Sequence, residues 1–232
     1  MSLVSPAENG IRPTARSKGA AYPARVVKLM IYAGAAAADA SGTRTGGVPL
    51  TPPEFEWPRC RECEGPMQFL AQICLADADP GSAGLLSVFM CQNEPGLCEE
   101  WHAAAGGNSA FVFGSDATRA APVPDDGVTL LDETSAIGFV QIEGDDYLGA
   151  RGRWARETGR SGPEVLGQLG GRPAWLQNDE TPDCGVCDQP MSFVVQLEEG
   201  HDYRTSANFG GGGCGYGFRC RSCGDAAFLW QR

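Results

Sequence analysis

The cysteines of this 232-residue chain fall into a frame that is written twice. The first copy reads Gly46-Gly47-Val48-Pro49, ten residues, then Cys60-x2-Cys63-x2-Pro66-Met67-x-Phe69-x2-Gln72-Ile73. The second reads Gly170-Gly171-Arg172-Pro173, ten residues, then Cys184-x2-Cys187-x2-Pro190-Met191-x-Phe193-x2-Gln196-Leu197. The two match without a gap at a constant offset of 124. Each copy is closed by a later cysteine pair, Cys91 with Cys98 and Cys220 with Cys223. A Cys-x2-Cys turn aims two thiolates at one ion, and a second pair from a later hairpin completes a tetrahedron. Two such sets in a self-similar chain predict two structural zinc ions in one internally duplicated fold.

The ligand sets expected are Cys60, Cys63, Cys91 and Cys98 for one ion, and Cys184, Cys187, Cys220 and Cys223 for the other. Cys91-x6-Cys98 is the longer knuckle, which makes Cys98 the less secure ligand and His102 its nearest rival. Four thiolates fill a zinc shell and leave no open position for water or substrate. The expected role is therefore folding energy, since structural zinc contributes ~10–16 kcal/mol, comparable with the net stability of a domain. Cys74 and Cys214 lie outside the frame. Cys74 follows Ile73 in an apolar run and reads as a small core residue. Cys214 is either a rival for the second ion or its neighbour.

Thirty-two glycines and sixteen prolines suit short strands joined by many turns. The fold class expected is α+β, mainly antiparallel β, in two pseudo-equivalent lobes. Four segments are expected: an N-terminal arm and first strand (1–45), a first zinc-knuckle repeat (46–113), a connector with a strand and helices (114–168), and a second repeat (169–232). Strands are predicted at Arg25–Ala33, Phe69–Leu75, Leu85–Met90, Ala110–Phe113, Ala136–Glu143, Phe193–Leu197 and Ala227–Trp230. Ala35–Ala40 reads as the start of a short helix. A longer helix is predicted over Asp146–Thr158, and another from Pro163 through Leu169, stopped by Gly170-Gly171. Residues 1–22 read as weakly ordered. The two closing strands correspond, so the lobes are expected to share a sheet or a packed seam.

The net charge is −11 and unevenly placed. Residues 1–45 carry six basic side chains against Glu8 and Asp39, while the remainder carries 12 basic against 27 acidic. So acidic a body repels phosphate backbones and anionic membranes, which ranks nucleic acid low as a partner, and it attracts a basic one. The longest apolar stretches are too short to span a bilayer, and no secretory signal opens the chain. Ten cysteines without export point to a reducing cytoplasm, where thiolates hold metal.

Catalytic constellations are thin. The only histidines are His102 and His201, and the latter sits in a polar Glu-Glu-Gly-His-Asp turn. No serine elbow or His-Glu-x-x-His is present. The run Gly210–Gly213 lacks the Gly-Lys-Ser/Thr of a phosphate loop and reads as a close approach of backbones. Gln72 and Gln196 recur inside apolar strands, where a buried amide must find partners. Trp57 and Trp175 each precede a knuckle and read as packing there rather than as lining a groove.

Leu169-Gly-Gly-x-Pro-Ala-Trp-Leu-Gln177, the Cys184 knuckle with Pro-Met-x-Phe-x2-Gln-Leu197, and Gly-x-Gly-Tyr216-x-Phe218-x-Cys220 together resemble the YwqG-like family of bacterial proteins. The first copy is a looser match, through Gly46-Gly-x-Pro49, Trp57-Pro58 and Phe69-Leu-Ala-Gln72. The same frame is similar to the programmed cell death protein 2 family, whose members shield a ribosomal protein; the extended insert and basic helical additions of that family are missing here. The first resemblance implies a mainly antiparallel β fold with no assigned reaction. The function expected is a zinc-stabilised, non-enzymatic protein-interaction module, shielding a basic protein client in a groove between the lobes. The alternative is an enzyme or small-ligand binder using that groove, with the glycine run and Tyr216 at its mouth.

Overall fold

The computed structural model describes residues 26–114 and 119–232. The reading of residues 1–22, and the basic side chains Arg12, Arg16, Lys18 and Arg25, lie outside them. Twelve strands are described: β1 (Val26–Ala35), β2 (Arg44–Thr45), β3 (Leu50–Thr51), β4 (Gln68–Cys74), β5 (Leu85–Met90), β6 (Asn108–Phe113), β7 (Arg119–Ala120), β8 (Ser135–Glu143), β9 (Val165–Leu169), β10 (Ser192–Glu198), β11 (Cys214–Arg219) and β12 (Ala226–Gln231). Helix α1 is one turn at Leu75–Ala78, and α2 spans Tyr147–Thr158. The protein is mostly antiparallel β.

Ten strands form one sheet in the order β12-β11-β10-β9-β1-β8-β2-β4-β5-β6, and β3 pairs with β7 in a small ribbon. Every pairing is antiparallel. The two outer strands, β6 and β12, pack back against each other, so the sheet curls into a nearly closed barrel. Curling removes most of the exposed edge that ten open strands would present.

The central pair interleaves the segments that carry the two cysteine frames. Strand β1 precedes the first cysteine frame, yet it pairs with β9, which leads into the second frame. Strand β8 precedes the second frame, yet it pairs with β2 of the first. The two are joined by a long antiparallel ladder from Val26↔Glu143 to Ala35↔Ser135. Each half thus borrows its innermost strand from the other.

Alternation in β1 sorts the core into two layers. Met30 faces the barrel interior with Leu70, Ile73, Leu86, Val88, Leu166, Val195 and Phe228. Val27, Leu29 and Ile31 face outward and are covered by α2 through Tyr147, Ala150 and Trp154. Those three stand at helical spacing, giving α2 one apolar stripe. Asp146 caps the helix by accepting from the N–H groups of Leu148 (3.3 Å) and Gly149 (2.7 Å). Gly159 ends it at φ 70°, a left-handed value that glycine adopts without strain.

Two local readings are corrected. Ala35–Ala40 is not a helix: β1 runs to Ala35 and a turn follows. The helix expected from Pro163 to Leu169 is a single 3₁₀ turn, Gly162–Glu164, followed by β9. The start signal is physically present, since Glu164 reaches back to the Ser161 N–H at 3.1 Å. Continuation fails because Gly167 has φ 142°, and because β9 fills the space between β1 and β10 with five buried residues.

Candidate metal centres and the groove beside them

The structure brings the eight cysteines into two groups of four, Cys60, Cys63, Cys91 and Cys98, and Cys184, Cys187, Cys220 and Cys223. Within each, the sulfur atoms lie within 4.8 Å of one another. Cys63 Sγ and Cys91 Sγ are 3.6 Å apart, and Cys187 Sγ and Cys220 Sγ 3.7 Å. A tetrahedral ion with metal–sulfur bonds of about 2.3 Å sets its sulfurs about 3.8 Å apart, so both groups fit one ion each. All ten cysteines are free, and a disulfide needs a separation near 2 Å. Two four-cysteine groups able to hold metal ions are therefore a property of the fold.

The knuckles are built alike, bond for bond. The Cys60 N–H donates to Gly65 O and the Glu64 N–H to Cys60 O, both at 2.9 Å; the Cys184 N–H donates to Gln189 O and the Asp188 N–H to Cys184 O, again at 2.9 Å. Glu64 (φ 58°) and Asp188 (φ 53°) occupy the same left-handed position, which closes the turn and aims the sulfurs inward. Strands β4 and β10 each carry a ladder irregularity one residue past the knuckle phenylalanine. The buried glutamines also correspond. Gln72 Oε1 accepts from the Leu50 N–H (3.1 Å) and Gln196 Oε1 from the Ala174 N–H (3.0 Å), each four residues after its first frame glycine. At the matching position before the glycines, buried Arg44 donates to Val48 O and Gln168 donates to Arg172 O at 3.1 Å.

The second knuckles differ, and the difference shapes the surface. Cys98, not His102, completes the first group. The loop between Cys98 and β6 is held by Asn108, whose Nδ2 donates to Glu100 O (2.8 Å) and His102 O (3.2 Å). Gly107 is required there, because an added Cβ would overlap the Cys98 carbonyl oxygen. Asn93 supports the same group by donating to Cys91 Sγ at 3.6 Å. In the second group, Asp225 lies beside the metal ligands and accepts from the Gly185 N–H at 3.3 Å. Asn93 and Asp225 meet the sulfurs and Asn108 holds the loop after Cys98, roles that no motif in the sequence announces.

Each group divides its proton affinity unevenly. The Cys220 thiol is drawn down to about 7, chiefly by the Cys223 N–H, while Cys223 is pushed up to about 12 by the neighbouring Cys187 sulfur. In the first group burial raises Cys98 and Cys91; the Cys63 thiol is lowered, as hydrogen bonds from Gly65 and the other thiols outweigh burial. Thiolates crowded at van der Waals distance repel, so one deprotonates readily and its neighbours resist until a cation arrives.

Other residues singled out in the sequence sit elsewhere. Cys214 belongs to neither group; it is buried beside Glu198, which Tyr147 (2.7 Å) and Arg151 (3.0 Å) also bind, and its thiol is raised to about 12 by burial. Cys74 is half-buried rather than a core residue, at the start of α1. Trp57 donates to Met67 O at 2.7 Å and packs against Phe89; Trp175 packs on Tyr216 and Phe218. Both cover their own knuckle. Tyr216 is fully buried and donates to Ala174 O at 2.9 Å, so it does not stand at the mouth of a groove. In the glycine run, an added Cβ at Gly213 would overlap the Phe209 carbonyl oxygen, the close backbone approach expected.

A groove runs where the first metal loop meets the second half. One cavity of about 510 Å³ is bounded by Trp101 and His102 on one side and by Glu180, Asp183 and Asp225 on the other. A second, of about 550 Å³, shares Trp101 and Glu180 and extends past Glu100 to Trp230 and Arg232. The Trp230 N–H donates to Trp101 O at 3.2 Å, fastening the loop to β12. Trp101 stands three residues after Cys98, and Asp183 directly precedes Cys184. The loops that present the sulfurs are therefore also the walls of the groove. His102 lies outside the four-cysteine group, and its Nδ1 accepts from the Ala104 N–H at 3.1 Å. Among the described residues, no helix is long and apolar enough to cross a membrane.

Comparison with known proteins places this architecture. Over 74 residues the chain is 38% identical to the uncharacterized protein YpfL of Salmonella typhimurium (strain LT2), a stretch covering 30% of this chain and 16% of that relative. The family described as "Domain of unknown function (DUF1963)" matches residues 43–218, from just before the first glycine pair to the eve of Cys220. That match spans most of the chain and six of the eight grouped cysteines, and the chain belongs to the DUF1963 family.

Proposed function

We propose that this protein is a non-enzymatic interaction module, held in shape by two zinc ions, which shields a basic segment of a client protein in the groove beside Trp101. The observation that carries this reading is the make-up of the first cavity. Glu180, Asp183 and Asp225 converge there beside an exposed indole, and no Lys or Arg among the described residues lines it. A body with a net charge of −11 adds a long-range field that draws cations in and turns phosphate backbones away. Zinc is the metal best suited to four thiolates, and such a shell has no position left for chemistry. A reducing cytoplasm keeps thiolates available for it.

The same reading makes the fold an internal duplication, with segments at 46–113 and 169–232 as its two copies and β1 and β8 exchanged between them. The constant offset of 124 in sequence and the matched knuckle and glutamine hydrogen bonds support it. Resemblance to the programmed cell death protein 2 family, whose members shield a ribosomal protein, supports the client-shielding reading.

The test is retention of partners by the chain and by a variant carrying Glu180→Lys, Asp183→Lys and Asp225→Lys, with metal content checked in both. The expected result is a set of basic proteins held by the first and lost by the second. A stoichiometric small molecule found in the groove by native mass spectrometry, or retention unchanged by charge reversal, would overturn the proposal in favour of the small-ligand alternative.

A further inference from the structure

We infer that the second cavity is a pocket for an arginine side chain of the bound partner, with Glu100 as its anchor. This rests on the basic-client reading and names the group that the groove selects. Glu100 is only 2% exposed, a rare position for a carboxylate. Its Oε1 accepts from the Gly96 N–H at 2.6 Å, while its Oε2, buried, has no hydrogen-bond partner among the described residues. A buried carboxylate left half-satisfied is costly, and such a group in a native fold calls for a partner. Trp230 Nε1, on the same cavity, is likewise buried and unpartnered.

The surroundings select among cations. Trp101 and Trp230 are adjacent through their backbone hydrogen bond, and Trp101 is 40% exposed, so one indole remains open to a ligand. Glu180 adds a second carboxylate, with Oε2 accepting from Gln231 Nε2 at 3.0 Å. Arg232, the one cation on the cavity among the described residues, donates to Gly210 O at 2.9 Å and leaves Glu100 Oε2 unmatched. A guanidinium offers planar donors to a carboxylate and a flat face to an indole at once; an ammonium has no face to stack.

The probe is an acetylated, amidated hexa-arginine peptide, titrated calorimetrically into the full chain at physiological ionic strength. Hexalysine and hexacitrulline peptides serve as comparisons. Glu100→Gln and Trp101→Ala are each expected to weaken the arginine peptide about tenfold, with zinc content and melting temperature held. Glu62→Gln, which removes one exposed charge away from the groove, is expected to change it less than twofold. If Glu100→Gln fails to fold, Trp101→Ala and Glu180→Gln carry the same test. Equal binding of hexalysine or hexacitrulline overturns the arginine assignment. Unchanged binding in both pocket variants also overturns it, while loss in the triple charge reversal would leave the basic-client reading standing. No binding of any cationic peptide to the unaltered chain sinks both.

Discussion

Replacing Gln196 by leucine tests whether each repeated glutamine pins the segment that follows its glycine pair to the barrel. Gln196 is 1% exposed, and its Oε1 receives the Ala174 N–H at 3.0 Å and Gln168 Nε2 at 2.9 Å. Leucine is of similar size but accepts nothing. Gln168 keeps its second bond, to Arg172 O, so the chief casualty is the Ala174 N–H. An orphaned buried donor costs about 1–3 kcal/mol and a lost hydrogen bond about 1 more, for a total of about 2–4 kcal/mol. Gln72→Leu orphans the Leu50 N–H and removes the bond from Gln72 Nε2 to Gly42 O (2.9 Å), so a similar loss is expected. For a domain of this size the melting temperature should fall by about 4–16 °C in either case. Urea titration, with m unchanged, separates lost stability from altered compactness. Since Gln168 and Gln196 share a bond, the double leucine variant should cost less than the sum of the two singles. A cost below about 0.5 kcal/mol in either single variant, within the range of ordinary surface substitutions, would refute the reasoning.

Further outcomes follow from the same geometry. Gly167→Ala should abolish soluble folding, because a Cβ there would overlap the Gln196 carbonyl oxygen from a φ of 142°; normal yield would show that β9 can shift. Cys98→Ser should reduce bound metal by one ion per chain while His102→Ala leaves it unchanged, as read by elemental analysis; the reverse would make His102 the ligand. Asn108→Ala should weaken groove binding more than it lowers the melting temperature, since it frees the loop bearing Glu100 and Trp101. Acid should release metal, because each thiolate must shed its proton to bind, and Cys220, drawn down to about 7 in the metal-free group, takes its proton back below that pH. Metal content that rises on acidification would contradict that sign.

Much of the local structure was legible because it is written in side-chain periodicity and turn chemistry. The helix expected over Asp146–Thr158 forms as α2, capped by Asp146 and ended by Gly159. Strands β4, β5, β6, β10 and β12 lie within two residues of their expected limits, while β11, with glycines at 215 and 217, carried no strand pattern to read. Pairing was not legible. Nothing local in Val26–Ala35 says that β1 lies between β8 and β9, because antiparallel partners a hundred residues apart are chosen by the whole curled sheet. Tertiary context also overrode a genuine start signal at Ser161–Glu164, where the sheet needed a strand more than the chain needed a helix. The cysteines of both four-sulfur groups were legible from spacing alone. The groove was not, since Glu100, Trp101, Glu180 and Asp225 are unremarkable in sequence and meet only when the long first knuckle crosses to β12.

The central claim is that two ions bound by thiolates hold this fold and its groove together. Native mass spectrometry of the purified chain, followed by titration with a strong chelator under tryptophan fluorescence, tests it directly. Each half borrows a strand from the other, so losing one ion should loosen both. The account predicts two zinc ions per chain and one cooperative loss of tertiary signal on chelation, with Trp57, Trp175 and Trp230 shifting to the red. One ion or none, or a chelated protein that keeps its native spectrum and melting point, would contradict it.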